Sequence, residues 1–212
     1  MDKDLVILYS GGSDSMLMLK LALDLGKKPL AVLIDYGQVH IQELDFAREQ
    51  LKKLQVEWVA VTVKNPVINS GLTGNCVVDR SGAVHEMHVP GRNTVFLSLA
   101  FSVAENEGID TIWIGSDWSD RLNLFPDCYQ EYIVKINELF KVAGPKEIKV
   151  EAPLMGWSKE MVLNYLYNKY SVMITSIFSG YEHPEPPSEK TIEREKPEPP
   201  SDRILKEGEK PK

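Results

Sequence analysis

The sequence predicts an α/β fold built on a doubly wound, mostly parallel sheet. Short, continuously apolar runs alternate with longer segments of helical periodicity, as in a sheet whose two faces are covered by crossover helices. The first run, Leu5 to Tyr9 (LVILY), is apolar at every position rather than every second one, the mark of a strand buried on both faces. It passes directly into Ser10-Gly11-Gly12-Ser13-Asp14-Ser15 (SGGSDS), a glycine-rich turn, and then into a helix.

The elements follow in order. Met16 to Leu25 carries apolar residues at helical spacing, and Gly26 supplies the C-terminal stop. Leu30 to Ile34 reads as a second buried strand ending in Asp35, and a helix is expected from about Ile41 to Leu54. A third strand is expected at Glu57 to Val63. Residues 65 to 90 are irregular and rich in Gly, Asn, Ser and His, and a loop that long inside a compact domain is functional or mobile. Asn93 to Asn106 returns to helical periodicity, and Thr111 to Ile114 is a fourth strand running into Gly115. Tyr129 to Val142 reads as helix, Ile148 to Glu151 as a short strand, and Ser158 to Asn168 as a closing helix capped by Ser158.

The last stretch differs in kind. Tyr181 to Lys212 is almost entirely Glu, Lys, Arg, Pro and Ser, and the segment PEPPS occurs twice, at Pro184 to Ser188 and Pro197 to Ser201. Such a stretch buries too little apolar surface to offset the entropy of ordering. The expected organisation is one domain over residues 1–180 and a disordered Pro/Glu/Lys-rich tail over 181–212.

Composition narrows the function classes. The 212 residues are 43% hydrophobic and 26% charged, ordinary for a globular chain with a sizeable core. A net charge of -7 and the lack of a local basic patch argue against direct nucleic-acid contact, and point to a small-molecule partner. Cys76 and Cys128 are the two cysteines, too few for a disulfide framework, and reduced thiols are expected. The N-terminus lacks a signal-peptide pattern, and no apolar run approaches the roughly 20 residues a membrane span requires. A cytoplasmic location without membrane association is expected.

The chemistry concentrates in SGGSDS. Gly11 and Gly12 allow backbone angles closed to other residues and let a ligand approach the main chain. Successive amide N–H groups at a helix start form a concave anion site, to which Ser10, Ser13 and Ser15 add hydroxyls. A pyrophosphate is the natural occupant, and ATP contact is expected along Tyr9 to Leu19 (Tyr9, Ser10, Gly11, Gly12, Ser13, Asp14, Ser15, Met16, Leu17, Met18 and Leu19). No lysine follows the glycines as in a Walker loop, and the dinucleotide pattern G-x-G-x-x-G is absent. Asp14 would repel phosphates unless a divalent cation lies between them, and Mg²⁺ is the usual companion of nucleotide phosphates. The bland alternative is a simple turn with a helix-start carboxylate.

A strand followed by SGGSDS resembles the PP-loop ATP pyrophosphatase superfamily, with its adenine nucleotide alpha hydrolase-like fold. Asp35-Tyr36-Gly37-Gln38-Val39-His40, with Glu43, resembles the DYGQ-x-H-x-x-E stretch of the 7-cyano-7-deazaguanine synthase family. Val89-Pro90-Gly91-Arg92-Asn93 is similar to that family's VPGRN. Gly115 to Asp120, then Pro126-Asp127-Cys128 and Tyr132, is similar to its G-x-x-x-x-D…PDC…F region. Ala152-Pro153-Leu154-Met155 with Lys159 is similar to its PLM-x-x-x-K element. The segments occur in the family's order across residues 4 to 180, and their combination is specific where any one alone is not.

The resemblance implies an ATP-dependent ligase that converts 7-carboxy-7-deazaguanine and ammonia into the nitrile through an adenylated carboxylate, in queuosine-type deazapurine biosynthesis. It implies ATP and Mg²⁺ as cofactors, Asp14 near the metal, and a homodimer. Asp14, Arg92 and Lys159 are the catalytic candidates: Arg92 as a fork-shaped clamp on an anion, Lys159 neutralising pyrophosphate. Tyr36, Gln38, His40, Arg92, Asn93, Asp117, Asp120 and Asp127 are the substrate-binding candidates, the carboxylates accepting from the purine's N–H edge. Plainer roles stand beside these: a helix-start surface arginine at Arg92, a structural histidine at His40, and loop-turning aspartates at Asp120 and Asp127. Trp113 reads as core, and Trp118 as a residue that could stack on a purine. His85, Glu86 and His88 have a spacing that invites a metal, but without a convincing further ligand.

The sequence departs from the family at its zinc site. Family members carry four clustered cysteines near the C-terminus, whereas this region reads Ser176-Ile177-Phe178-Ser179-Gly180, with no cysteine after Cys128. Four-thiolate zinc is therefore not expected, and either packing of Tyr167, Tyr170, Ile174 and Phe178 or a partner subunit is expected to stabilise this part instead. An enzyme that stops at the amide, another PP-loop amidotransferase or ligase, and a non-catalytic nucleotide-binding module remain as alternatives.

Overall fold

Buried apolar side chains alternate between two clusters along each strand, and that alternation sets the architecture. In β1 (Leu5–Leu8), Leu5 and Ile7 face one side of the sheet and Val6 the other. In β2 (Pro29–Asp35), Ala31 and Leu33 join the first side, while Leu30, Val32 and Ile34 join the second. The computed structural model describes residues 2–38, 42–63, 91–117 and 126–172. Within them, β3 (Glu57–Thr62), β4 (Thr111–Trp113) and β5 (Lys149–Glu151) complete a parallel sheet of order β3-β2-β1-β4-β5. The order reverses direction at β1, so a crevice opens beyond the carboxyl ends of β1 and β4.

Five helices among the described residues cover the sheet: α1 (Ser13–Asp24), α2 (Gln42–Lys53), α3 (Arg92–Glu107), α4 (Gln130–Ala143) and α5 (Lys159–Tyr170). Side chains of α1, α2 and α5 pack on Leu5, Ile7 and Leu33, and those of α3 and α4 on Val6, Val32 and Ile112. This is the doubly wound α/β fold that the strand–helix alternation predicts. Among the described residues, no helix is long and apolar enough to cross a membrane.

Element limits shift where polar residues begin a helix. α1 starts at Ser13, inside the glycine-rich turn, because its first turn is Ser13-Asp14-Ser15 and the apolar signal begins only at Met16. Its end is as expected: Gly26 adopts φ +71° just beyond the last turn. Ser158 caps α5 by accepting a 3.2 Å bond from the Met161 N–H. Trp113 is buried, and its Nε1–H donates to Glu151 at 2.8 Å. On the outer side of β5, the Asn137 amide accepts from the Val150 N–H at 2.7 Å and donates to its carbonyl at 2.8 Å. A side chain thus occupies hydrogen-bonding positions that another strand would otherwise fill.

One packing expectation is corrected. Tyr167 is 54% exposed, because α5 buries Val162 and Leu166 and the next residue turns about 100° away from that face. Tyr170 does pack, edge-on against Tyr165, and donates its hydroxyl to Asp24 at 2.8 Å. Ile174, Phe178, the tail at 181–212 and the loop at 65–90 lie outside the described residues.

Candidate functional site

The loop after β1 is shaped by a close approach and a serine knot. Gly11 has φ +85°, and a Cβ there would stand 3.1 Å from the Ala47 Cβ of α2. Glycine is needed on both counts. Ser15, buried in the first turn of α1, donates its hydroxyl to the Gly12 carbonyl at 3.0 Å and accepts from the Ser10 N–H at 3.3 Å. The Gly12 N–H in turn donates to the Ser10 hydroxyl at 3.3 Å. Ser15 therefore builds the loop from within. α1 itself begins with no side-chain cap, since Gly12 stands at that position. A helix start of this kind is suited to an anion.

Across from it lies the first residue of α5. The Lys159 ammonium pairs with the Asp14 carboxylate, lies 3.2 Å from Asp117 Oδ2 and reaches the Ser13 hydroxyl at 3.4 Å. Asp117 is 1% exposed, whereas the Lys159 side chain is about two-fifths exposed and open to the crevice. Burial works against the Lys159 charge, but the Asp14 and Asp117 carboxylates outweigh it and hold the ammonium above the usual lysine range. β4 comes close enough for this only because residue 115 is glycine: a Cβ there would stand 3.2 Å from the Asp14 Cβ and 3.1 Å from Met18 Cε.

The same edge carries the end of β2. The Gly37 N–H donates to Asp35 Oδ1 at 3.1 Å, and the Tyr36 N–H to Gln38 Oε1 at 3.1 Å. These bonds fold Asp35–Gln38 into a tight turn. The Tyr36 ring packs 5.3 Å from Phe96 in the first turns of α3, joining the turn to that helix.

Asn93 and Asp127 form a separate knot. Gly91, at φ +65°, gives α3 no side-chain cap, and the Asp127 carboxylate takes that place by accepting from the Asn93 N–H at 3.2 Å. The Asn93 side chain donates to the Asp127 carbonyl at 3.2 Å and to Cys128 Sγ at 3.3 Å. Both residues are thus engaged in seating the start of α3, whose first residue is the half-buried Arg92.

Within the segment Tyr9–Leu19, the structure separates wall from surface. Met16, Leu17, Met18 and Leu19 are buried in the core. Tyr9 is buried too, donates its hydroxyl to Gln50 Oε1 at 2.6 Å, and has its ionisation pushed well above the ordinary tyrosine range by burial. The accessible part of this stretch is Ser10, Gly12, Ser13 and Asp14, with Gly11 buried against α2. His40 and Asp120 lie outside the described residues, as do Cys76, His85, Glu86, His88 and Trp118. No group of three or more His, Cys, Asp or Glu suited to a metal occurs among the described residues.

The sequence reading placed Asp14, Asp117 and Lys159 in the site but not in contact. Contacts across 145 residues leave no periodic signature. Gly115 is legible as the residue after the fourth strand and as the first position of the G-x-x-x-x-D stretch, but not as the point of close approach to Asp14 and Met18, and nothing marks Gln50.

Residues 4–190 match the family described as "Queuosine biosynthesis protein QueC". The chain is 32% identical over 173 residues to the 7-cyano-7-deazaguanine synthase of Psychromonas ingrahamii, covering 77% of each chain. It is 35% identical over 189 residues to that of Leptospira interrogans, covering 84% of this chain and 77% of that one. Among solved structures, the U34-tRNA thiolase NcsA from Methanococcus maripaludis superposes with a TM-score of 0.55 at 16% identity, over 86% of this chain and 61% of that one. That likeness concerns the fold, a PP-loop sheet with its helices. With the family match spanning nearly all of the chain that the site is built from, the chain belongs to the QueC family of queuosine-biosynthesis proteins.

Proposed function

We propose that the protein converts 7-carboxy-7-deazaguanine and ammonia into 7-cyano-7-deazaguanine at the expense of two ATP, through an adenylated carboxylate. The observation that carries this reading is the uncapped start of α1 facing the Lys159 ammonium, in a chain of this family. In the first half-reaction a carboxylate oxygen attacks the α-phosphorus and pyrophosphate leaves. Ammonia then attacks the carboxyl carbon, AMP leaves with loss of a proton, and the amide results. In a second activation the amide oxygen attacks the α-phosphorus of another ATP and pyrophosphate leaves; loss of AMP and of both amide protons then gives the nitrile.

The chain's part is positioning and charge. The loop amides and the hydroxyls of Ser10 and Ser13 hold the phosphates, while Ser15 keeps the loop in shape. Lys159 faces the departing pyrophosphate. Arg92, seated by the Asn93–Asp127 knot, clamps an anionic group of substrate or nucleotide. The Asp35–Gln38 turn, held to α3 through Tyr36 and Phe96, forms a wall for the deazapurine. The donor set also fits Mg²⁺: Asp14 is a hard carboxylate beside the phosphate loop, and the ion when bound supplies charge neutralisation.

Mass analysis of a mixture of full-length protein, ATP, Mg²⁺, ammonium and 7-carboxy-7-deazaguanine tests the proposal. Accumulation of the nitrile is the expected result. Amide as the end product would favour the one-cycle variant. Unchanged acid would overturn both.

A further inference from the structure

A carboxylate that is 1% exposed must be matched by charge or it destabilises the fold. Asp117 lies two residues beyond β4, just past the glycine that lets this strand end touch the first turn of α1. Its Oδ2 is 3.2 Å from Lys159 Nζ, and the same ammonium reaches Ser13 and Asp14. A lysine has a long stem and a point charge, so by itself it does not fix where its charge sits. Asp14 alone would not fix it either, being a side chain on the ligand's own side of the crevice. Asp117, buried at the end of a strand, is the rigid member of the trio.

We propose that Asp117 is a positioning residue: its buried carboxylate anchors the Lys159 ammonium over the first turn of α1, where the lysine meets the leaving pyrophosphate. The proposal deepens the ATP-dependent reading and rests on it. It also takes Asp117 away from recognition of the purine edge, because the carboxylate oxygen nearest the crevice cation is turned toward that cation. Asp117 acts through Lys159 and need not touch substrate.

The test is a double-mutant cycle with Asp117→Asn and Lys159→Met in the full chain, read by two measurements. The kinetic arm follows pyrophosphate release with ATP, Mg²⁺, ammonium and the deazapurine acid. Asp117→Asn is expected to lower kcat about 10- to 100-fold, the scale of a misplaced catalytic group, with the KM of the acid within about threefold of native. In the Lys159→Met background the same substitution is expected to cost less than about threefold further, since the residue it positions is gone. A KM for the acid raised tenfold or more with kcat intact, or a full and additive loss in the Lys159→Met background, would overturn the proposal.

The thermal arm needs no turnover. Lys159→Met leaves Asp117 buried without the ammonium 3.2 Å away, so adding Asp117→Asn is expected to raise the Tm of that variant. This outcome is readable even if Asp117→Asn alone folds poorly. A double variant melting lower than Lys159→Met would contradict the pairing. If the native chain releases no pyrophosphate, the ATP reading fails and the proposal falls with it. If the native chain does so but the cycle is additive, the positioning role alone is wrong.

Discussion

The Lys169 ammonium lies 2.6 Å from the Asp24 carboxylate, and this pair stands ten residues further along its two helices than the pair Lys159–Asp14. The equal offsets mean that α1 and α5 run parallel and in register, each end of the contact closed by an aspartate from α1 and a lysine from α5. Both helix starts therefore face the crevice. The distal pair is reinforced by Tyr170, which donates to the same Asp24 carboxylate at 2.8 Å, and by the Lys169 ammonium over the Tyr165 and Tyr170 rings at 5.4 and 5.2 Å.

The distal clamp predicts a pH signature. Hydrogen bonding from Lys169 holds the Asp24 carboxyl below the usual range, and the bond to Asp24 holds the Lys169 ammonium above its own. The Asp24 contribution is present above about pH 4 and lost as pH falls through the depressed value; the Lys169 contribution is lost only as pH rises past about 10.5. Both side chains are more than two-fifths exposed, so solvent screening limits the pair to about 1 kcal/mol or less. Asp24→Asn is expected to lower Tm at pH 7 by about 1 to 4 °C, with the difference from native shrinking below about pH 4. A difference unchanged by acid would show that the pair does not carry it.

Gly11→Ala probes the phosphate loop. The substitution places a side chain at φ +85° and 3.1 Å from the Ala47 Cβ, costing about 1 to 2 kcal/mol for the backbone alone. ATP affinity and Tm are both expected to fall. Adding Ala47→Gly removes the collision but not the backbone strain, so calorimetry should show partial recovery of stability. Full recovery would mean that φ at residue 11 is unimportant.

How much was legible in the sequence divides along the range of the interactions. LVILY followed by SGGSDS fixes β1, the loop and α1, because burial, glycine and helix periodicity are local signals. Ser158 as a cap and Gly26 as a stop were readable for the same reason. Asn93 and Asp127 were legible as special residues but not as partners: the bond that makes Asp127 a cap for α3 spans 34 residues. The Asp117–Lys159 approach depends on β4 and β5 lying side by side in the sheet, which no window of sequence contains.

Asp127→Ala and Asp127→Asn separate a cap from a purine reader. Losing the cap of α3 is expected to cost about 0.5 to 2 kcal/mol in the alanine variant, seen by denaturant titration. The asparagine variant keeps an acceptor and is expected to retain most of that stability, with the KM for the deazapurine acid near native. A KM raised strongly in Asp127→Asn at native stability would return this residue to substrate recognition.

Asn137 predicts an edge effect. Replacing it with alanine leaves the N–H and carbonyl of Val150 without their side-chain partners, an expected loss of about 1 to 3 kcal/mol. Asn137→Asp still accepts from the N–H but no longer donates to the carbonyl, and is expected to fall between alanine and native. Size-exclusion chromatography should also show more self-association for the alanine variant, as expected when a strand edge is uncovered. Equal stability for all three chains would remove Asn137 from that role.

In the proposed mechanism the loop between β1 and α1 grips ATP so that an acid can displace pyrophosphate. Its most direct test is the fate of ATP labelled at the γ-phosphate, in single turnover with 7-carboxy-7-deazaguanine and Mg²⁺ but without ammonia. Label in pyrophosphate, AMP carried on the acid, and neither product when the acid is left out are the expected results. Label in inorganic phosphate with ADP formed, or pyrophosphate released at the same rate whether or not the acid is present, would contradict it.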